Sequence, residues 1–321
     1  FRSGVHLEHA GGVQIVALDK TGTITRGEPK VTAIVTGENE AEFLAMAASV
    51  EQLSEHPLAQ AVVAAANGRK LTLVEVQNFR VSPGGGVEAM SSGLPVLIGS
   101  PRFIAERGFE LAAFAEKTAA LEAEGQTVVA VVRNATIAGL IAIADEIRPE
   151  ARAVIAELKE LGVETVMITG DNERTAAAIA AKAGIDRYYA GVKPEGKAGI
   201  IAELKAGDRH VGMVGDGIND APALAAADVG IAMGGGSDIA IETADVALLG
   251  NDLHGLVRAV RMSRLTMRNI RQNLFWALAY NTIGIPVAAA GFLAPWLAGA
   301  AMALSSVSVT LNALRLQRVK L

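Results

Sequence analysis

The stretch ALDKTGTIT, residues 17–25, decides how the rest of the chain is read. It closes the apolar run VQIVAL (13–18), which has the length and composition of a buried strand, and Thr21-Gly22-Thr23 then breaks that run into a tight loop. Asp19 is thereby presented at the C-terminal tip of a strand, where open α/β sheets bind ligands and perform chemistry. A carboxylate there can be a nucleophile, a metal ligand or a helix cap.

Two other apolar runs end in the same manner: ETVMITGDN (164–172) and HVGMVGDGIND (210–220). Alanine-rich amphipathic segments alternate with them, namely ARAVIAELKELG (151–162), RTAAAIAAKAG (174–184) and GKAGIIAELKAG (196–207). Strand–helix alternation of this kind predicts a doubly wound, mostly parallel sheet. The first active strand lies about 140 residues before the second, too far for a single crossover, so a domain is inserted between them. Residues 31–144 carry the strand patterns LTLVEVQNF, GLPVLIGS and TVVAVVRNATIAGLIAIA, which with two helices predict an antiparallel α+β module.

Asp19, Asp171 and Asp216 each follow a strand of one sheet and are expected to line one crevice. Like charges a few ångströms apart repel, so the three need a cation. Oxygen donors favour a hard one, and Mg²⁺ takes one or two carboxylates together with phosphate oxygens. Lys197 adds a fixed positive charge towards a phosphoryl group, and Asp19 becomes a plausible nucleophile forming an acyl phosphate.

Bulk composition bounds the alternatives. With 321 residues the chain can hold two or three domains. A formal net charge of −5 argues against a nucleic-acid partner, and the absence of cysteine excludes disulfides and thiolate chemistry within this sequence. The start at Phe1 reads as the C-terminal part of a longer protein. Between Arg271 and Arg315 lie about 43 residues without a charge, enough for two bilayer crossings and a turn near Pro295. Arg258, Arg261, Arg264, Arg268 and Arg271 precede this interval, and Arg315, Arg318 and Lys320 follow it, which predicts a transmembrane helical hairpin with both ends cytoplasmic.

The motifs DKTGTIT (19–25), TGDN (169–172) and GDGINDAPAL (215–224) together resemble the phosphorylation domain of P-type ATPases, across nearly the whole chain. SEHPLAQA (54–61) narrows the likeness to the heavy-metal-transporting members. The resemblance implies a HAD-like phosphorylation domain at 1–30 and 145–255, a nucleotide-binding domain at 31–144, and a stalk with two transmembrane helices at 256–321. It implies ATP and Mg²⁺ as cofactors, phosphorylation of Asp19 and a magnesium site at Asp19, Asp216 and the backbone of Thr21. Lys20, Thr169, Gly170, Asp171 and Lys197 would position the phosphate, with Asn219 and Asp220 completing the site. Glu51, His56, Gly84 and Gly86 would line the nucleotide pocket; Ser100 and Glu88 stand where many relatives carry Asn and Gly.

Related phosphatases of this fold carry a second aspartate two residues after the nucleophile, where this chain has Thr21, so the phosphoenzyme should persist and drive a conformational cycle. Tyr280, Asn281, Met302 and Ser305 match the copper(I)/silver(I) subgroup, with Met302 as the soft ligand. The expected cargo is therefore Cu⁺, carried by an integral membrane protein of a bacterial plasma membrane with cytoplasmic catalytic domains. Its partners are the lipid bilayer and the actuator domain and membrane helices missing from this sequence. A zinc/cadmium pump, a nucleotide-binding module without turnover and a membrane-anchored phosphatase are the competing expectations.

Overall fold

The computed structural model describes residues 1–82, 85–217, 220–291 and 295–316. In chain order the strands are β1 (Ile15–Asp19), β2 (Lys30–Thr36), β3 (Val76–Ser82), β4 (Gly86–Ser91), β5 (Leu94–Gly99), β6 (Thr127–Arg133), β7 (Thr136–Ala144), β8 (Glu164–Ile168), β9 (Arg187–Tyr189), β10 (Val211–Gly215), β11 (Val229–Ala232) and β12 (Val246–Ala247). They form two sheets.

The first sheet has the order β12-β11-β10-β1-β8-β9 and is parallel at every pairing. Strand β1 is buried on both faces. Val16 and Leu18 pack under the helices Ala151–Glu160 and Glu173–Ala183, while Ile15 and Ala17 pack with Ile201 and Leu204 of the helix Pro194–Leu204. That two-sided cover explains why the strand reads as a continuous apolar run without alternation. The chain order leaves β1 and returns on one side as β8 and on the other as β10, so a crevice opens beyond their C-terminal ends.

The second sheet, β2-β7-β6-β5-β4-β3, is antiparallel throughout. Alternate residues of β6 face opposite layers: Val129 and Val131 meet Phe43, Leu44 and Val62, whereas Val128, Ala130 and Val132 meet Ile104 and Leu121. The expected pair of helices is extended to four, Glu40–Glu51 and Pro57–Gly68 joined by Pro101–Glu106 and Ala115–Ala123. The two additional ones cover the face that two helices would leave wet. Two short links, bridged between Thr25 and Ile147, connect this module to the parallel sheet. Asp145 ties them, accepting from the amides of Gly27 and Glu28 at 3.1 Å each and from the Thr25 hydroxyl.

The C-terminus forms two helices, His254–Ala289 and Pro295–Leu316, packed on each other. The expected bilayer crossing is not supported by them: among the described residues no helix is long and apolar enough to cross a membrane. The physical reason lies in their make-up. The first spends its opening turns on the arginine-bearing stalk and then carries Asn273, Tyr280, Asn281 and Pro286; the second carries Ser305, Ser306, Ser308, Thr310 and Asn312. Asn269, Asn273 and Asn312 hold the pair together, with Asn269 Nδ2 donating to the Asn312 carbonyl (2.7 Å) and Asn312 Nδ2 to Asn273 Oδ1 (2.8 Å). Arg318 and Lys320 lie outside the described residues.

Candidate active site

Asp19 is the last residue of β1, Asp216 follows the last residue of β10, and Thr169 follows the last residue of β8. The loop after Asp19 turns through Gly22 at φ +72°, a left-handed backbone that glycine adopts without strain. The absent side chain matters as much: a Cβ on Gly22 would lie 1.5 Å from Asp216 Oδ2. Arg148, only 5 % exposed, fixes the loop from beneath. Its guanidinium donates to the carbonyls of Gly22 (2.8 Å) and Thr23 (2.9 Å), and to the carbonyl (2.9 Å) and side chain (2.6 Å) of Asn251.

The carboxylates that converge are those of Asp19, Asp216 and Asp220, each offering one oxygen within 4.8 Å of the others. This corrects the expected trio of Asp19, Asp171 and Asp216. Asp171 turns away to Lys20, whose Nζ lies 2.6 Å from its Oδ2, and accepts from Thr169 Oγ1 at 3.2 Å. It also accepts from Thr127 Oγ1 at 3.1 Å, and Thr127 opens strand β6 of the antiparallel module. Asp220 takes the vacated place because the turn after β10 folds it back: its Oδ2 accepts from the Gly217 amide, and a Cβ on Gly215 would lie 2.7 Å from it.

Lys197, near the start of the helix Pro194–Leu204 and 7 % exposed, bridges two of the acids, with Nζ 2.7 Å from Asp19 Oδ1 and 2.6 Å from Asp220 Oδ1. Burial disfavours its charge, but the two carboxylates outweigh burial and hold the ammonium above its ordinary range. One lysine does not satisfy three acids. Burial, then the charge of Asp220, push Asp19 up to about 6 despite Lys197 and Lys20. Burial, then Asp19 and Asp220, push Asp216 up to about 7. Crowded, half-neutralised carboxylates with oxygen-only donors fit a hard divalent cation. Thr21, partly buried and extended, follows directly on Lys20; Gly170 is exposed, and Asn219 lies outside the described residues.

In the antiparallel module, Glu51 closes the helix Glu40–Glu51 and is 8 % exposed. Burial pushes its carboxyl up to about 7. His56 caps the helix Pro57–Gly68, its Nδ1 accepting from the Leu58 amide at 3.2 Å, which leaves Nε2 to carry the proton of the neutral ring. The residue is exposed, yet partial burial and then the charge of Lys20 lower the ring's basicity. Gly84 lies outside the described residues. Gly86 opens strand β4, where a Cβ would lie 2.1 Å from the Ile98 carbonyl oxygen and 2.9 Å from the Phe103 ring. Ser100 caps the helix Pro101–Glu106, accepting from the Phe103 amide.

The residues expected to ligate a transported ion are not brought together by side-chain hydrogen bonds among the described residues. Asn281 Nδ2 donates to the Ala277 carbonyl of its own helix (3.0 Å), Tyr280 tilts against Trp276, and Met302 is 70 % exposed. Ser305 is half-buried on the second helix.

Sequence reasoning missed Gly22, Thr127, Asp145 and Arg148. Gly22 was legible as the turn glycine of DKTGT, but its closeness to Asp216 depends on two strands meeting in space. Arg148 and Asp145 stand alone in polar segments and carry no local signal.

The haloacid dehalogenase-like hydrolase family model matches residues 13–228. A copper-exporting P-type ATPase of Bacillus subtilis (strain 168) is 51 % identical over 322 residues, covering all of this chain and 40 % of that protein. A zinc-transporting PIB-type ATPase in the E2.Pi state superposes with a TM-score of 0.72 at 46 % identity, over 98 % of this chain and 51 % of that one. The catalytic domain of the CPx-ATPase CopB-B superposes with a TM-score of 0.64 at 32 % identity, over 79 % of this chain and 90 % of that domain. The chain belongs to the haloacid dehalogenase-like hydrolases and, within them, to the P-type ATPases. It spans 40 % of the length of the curated relatives it matches.

Proposed function

We propose that this chain is the catalytic unit and a helical pair of an ATP-driven exporter of a soft metal ion, Cu⁺, working through a phosphoryl group carried on Asp19. The observation that carries the reading is the Lys197 ammonium held between Asp19 and Asp220 at 2.7 and 2.6 Å, with Asp216 beside them. An aspartate at a strand tip, beside a buried cation and two further carboxylates, suits in-line attack on a γ-phosphoryl group.

Asp19, Asp216 and Asp220 have the chemistry to hold Mg²⁺, which when bound would offset the charge of the triphosphate and of the three acids. The chain's own contribution is positional. Lys197 keeps Asp19 oriented and partly neutralised, Lys20 and Thr169 hold Asp171 beside the loop, and Arg148 fixes the loop backbone. Thr21 cannot act as a general base at neutral pH, so water attack on the acyl phosphate lacks an activating group on this loop. That favours a long-lived phosphoenzyme over the phosphatase alternative.

Glu51 and His56 suit the nucleotide base: a carboxyl raised to about 7 is partly protonated near neutral pH, and in that form it donates a hydrogen bond, as does an Nε2 proton. Although neither helix by itself is long and apolar enough for a self-sufficient bilayer span, we place the part of the helix His254–Ala289 from Leu274 onward, and the helix Pro295–Leu316, in the membrane. The first turns of the long helix stay packed on the parallel-sheet domain. Support comes from the long uncharged interval and from large apolar side chains facing outward, such as Phe275 (63 % exposed), Ile283 (68 %) and Trp296 (73 %). The uncharged interval and Met302 suit a soft monovalent cargo, and the copper-exporting relatives agree. Similarity to a zinc-transporting structure keeps a divalent cargo as the second reading.

The test is incubation of the purified chain with γ-labelled ATP and Mg²⁺. An acid-stable, hydroxylamine-labile label absent from Asp19→Asn is the expected result. A label that survives that substitution removes Asp19 from its role.

A further inference from the structure

A cleft of about 970 Å³ lies where the helix Gly4–Gly12, His210 and the middle of the helix His254–Ala289 meet, away from the carboxylate site. Its wall is basic. Arg264, Arg268 and Arg271 descend one side of the long helix, His9 and His210 face them with ring centroids 6.4 Å apart, and Glu8 is the one acid among the lining residues.

The arginines differ in what they do. Arg258 and Arg261, further up the helix, are paired with Asp252 and Glu157. Arg264 is spent on the carbonyls of Gly11, Leu161 and Val13, where it pins the long helix to the phosphorylation domain. Arg268 and Arg271 are exposed and, among the described residues, have no acidic partner. They are three apart and so lie on one face of the helix. One turn below stand Phe275 and Trp276, and from Leu274 onwards the large apolar side chains face outward.

Unpaired arginines directly above aromatic rings, at the point where charge ends and exposed apolar surface begins, match the layering of a cytoplasmic membrane interface. A basic cleft at that depth suits a phosphate-bearing head group whose acyl chains run down the apolar surface. We propose that this cleft binds the head group of an acidic phospholipid, with Arg268 and Arg271 on the phosphate and Phe275 and Trp276 against the start of the acyl chains. The proposal rests on placing the long helix in the membrane.

The chain contains two tryptophans, so Trp296→Phe leaves Trp276 as the sole fluorescent reporter inside the cleft. That variant is reconstituted in phosphatidylcholine vesicles containing a minor fraction of phosphatidylglycerol, with bromine on the acyl chains of one lipid or the other. Brominated phosphatidylglycerol should quench Trp276 well beyond its share of the bilayer, an excess of roughly fivefold for each arginine engaged. Arg268→Gln with Arg271→Gln should abolish the excess. Arg258→Gln with Arg261→Gln, which removes the same charge higher on the helix, should leave it intact.

Quenching in proportion to lipid content overturns the proposal while leaving the helix in the membrane. No quenching by either lipid removes the membrane placement and the proposal with it. Loss of the excess on adding inorganic phosphate assigns the cleft to a free phosphate and overturns the lipid assignment.

Discussion

Gly22 and Asp216 are in direct apposition: the backbone of the first occupies the space against which the carboxylate of the second rests, with room for a hydrogen and nothing larger. Gly22→Ala meets this contact and a positive φ together, so the loop or Asp216 must move. Phosphoenzyme formation should fall by roughly 10²-fold, because a misplacement on the order of 1 Å in a positioning group costs that much. Titrating Mg²⁺ in the labelling reaction checks it: the variant should need far more magnesium while ATP still protects the antiparallel module from proteolysis.

Removing the cation between two acids should be worse than removing one acid. Lys197→Met leaves Asp19 and Asp220 facing each other in a buried site, and breaking a buried pair in this way typically costs about 3–5 kcal/mol. The loss should shrink as pH falls, since protonating either acid relieves the repulsion. Thermal melts from pH 8 to pH 5, compared with wild type, measure this; an unchanged gap would show that the pair is not coupled through the lysine.

Thr127 links the antiparallel module to the loop after β8 through its bond to Asp171. Nearby, Glu122 is held by Asn172 at 2.7 Å and Arg174 at 3.2 Å. Thr127→Val should slow phosphoryl transfer roughly tenfold, about the worth of one charge-assisted hydrogen bond, with ATP affinity unchanged. Thr127→Ser should restore the rate. Single-turnover labelling separates the two quantities.

Glu51 gives a pH-dependent signature. Its folded-state carboxyl sits near 7 against an ordinary 4.5, so folding favours the protonated form. Its contribution to stability is complete below about pH 4.5 and is lost as pH rises through 7, by up to about 3 kcal/mol. Hydrogen exchange in the helix Glu40–Glu51, corrected for intrinsic rates, should report falling protection between pH 5 and 8. Glu51→Gln should flatten that slope.

Arg148 is expected to be structural with a catalytic consequence. Arg148→Met removes four hydrogen bonds from a buried guanidinium and releases both the Gly22–Thr23 carbonyls and Asn251. Destabilisation of about 3 kcal/mol is expected, since hydrogen bonds to charged groups are worth about 1.5–3 each and do not add. Denaturant midpoints read the stability, and labelling with ATP should fall even where the chain remains folded.

The sequence by itself determined the parallel sheet, because β1, β8 and β10 are each buried on both faces and so must be written as unbroken apolar runs that end in polar loops. It also offered Asp19 as the nucleophile candidate and Lys197 as a positive charge near it, since both stand in loops with local signals, but the bridge of Lys197 to Asp19 and Asp220 is tertiary. The tertiary structure alone decided which carboxylates meet. Along the chain Asp171 looks the better placed, close behind a strand, yet Lys20 draws it aside and the turn at Gly215 and Gly217 brings in Asp220 instead. Contacts between residues more than a hundred positions apart, such as Arg148 with Gly22 or Asp216 with Gly22, leave no local pattern, because they are selected by the spacing of strands in the sheet and not by neighbours in the chain.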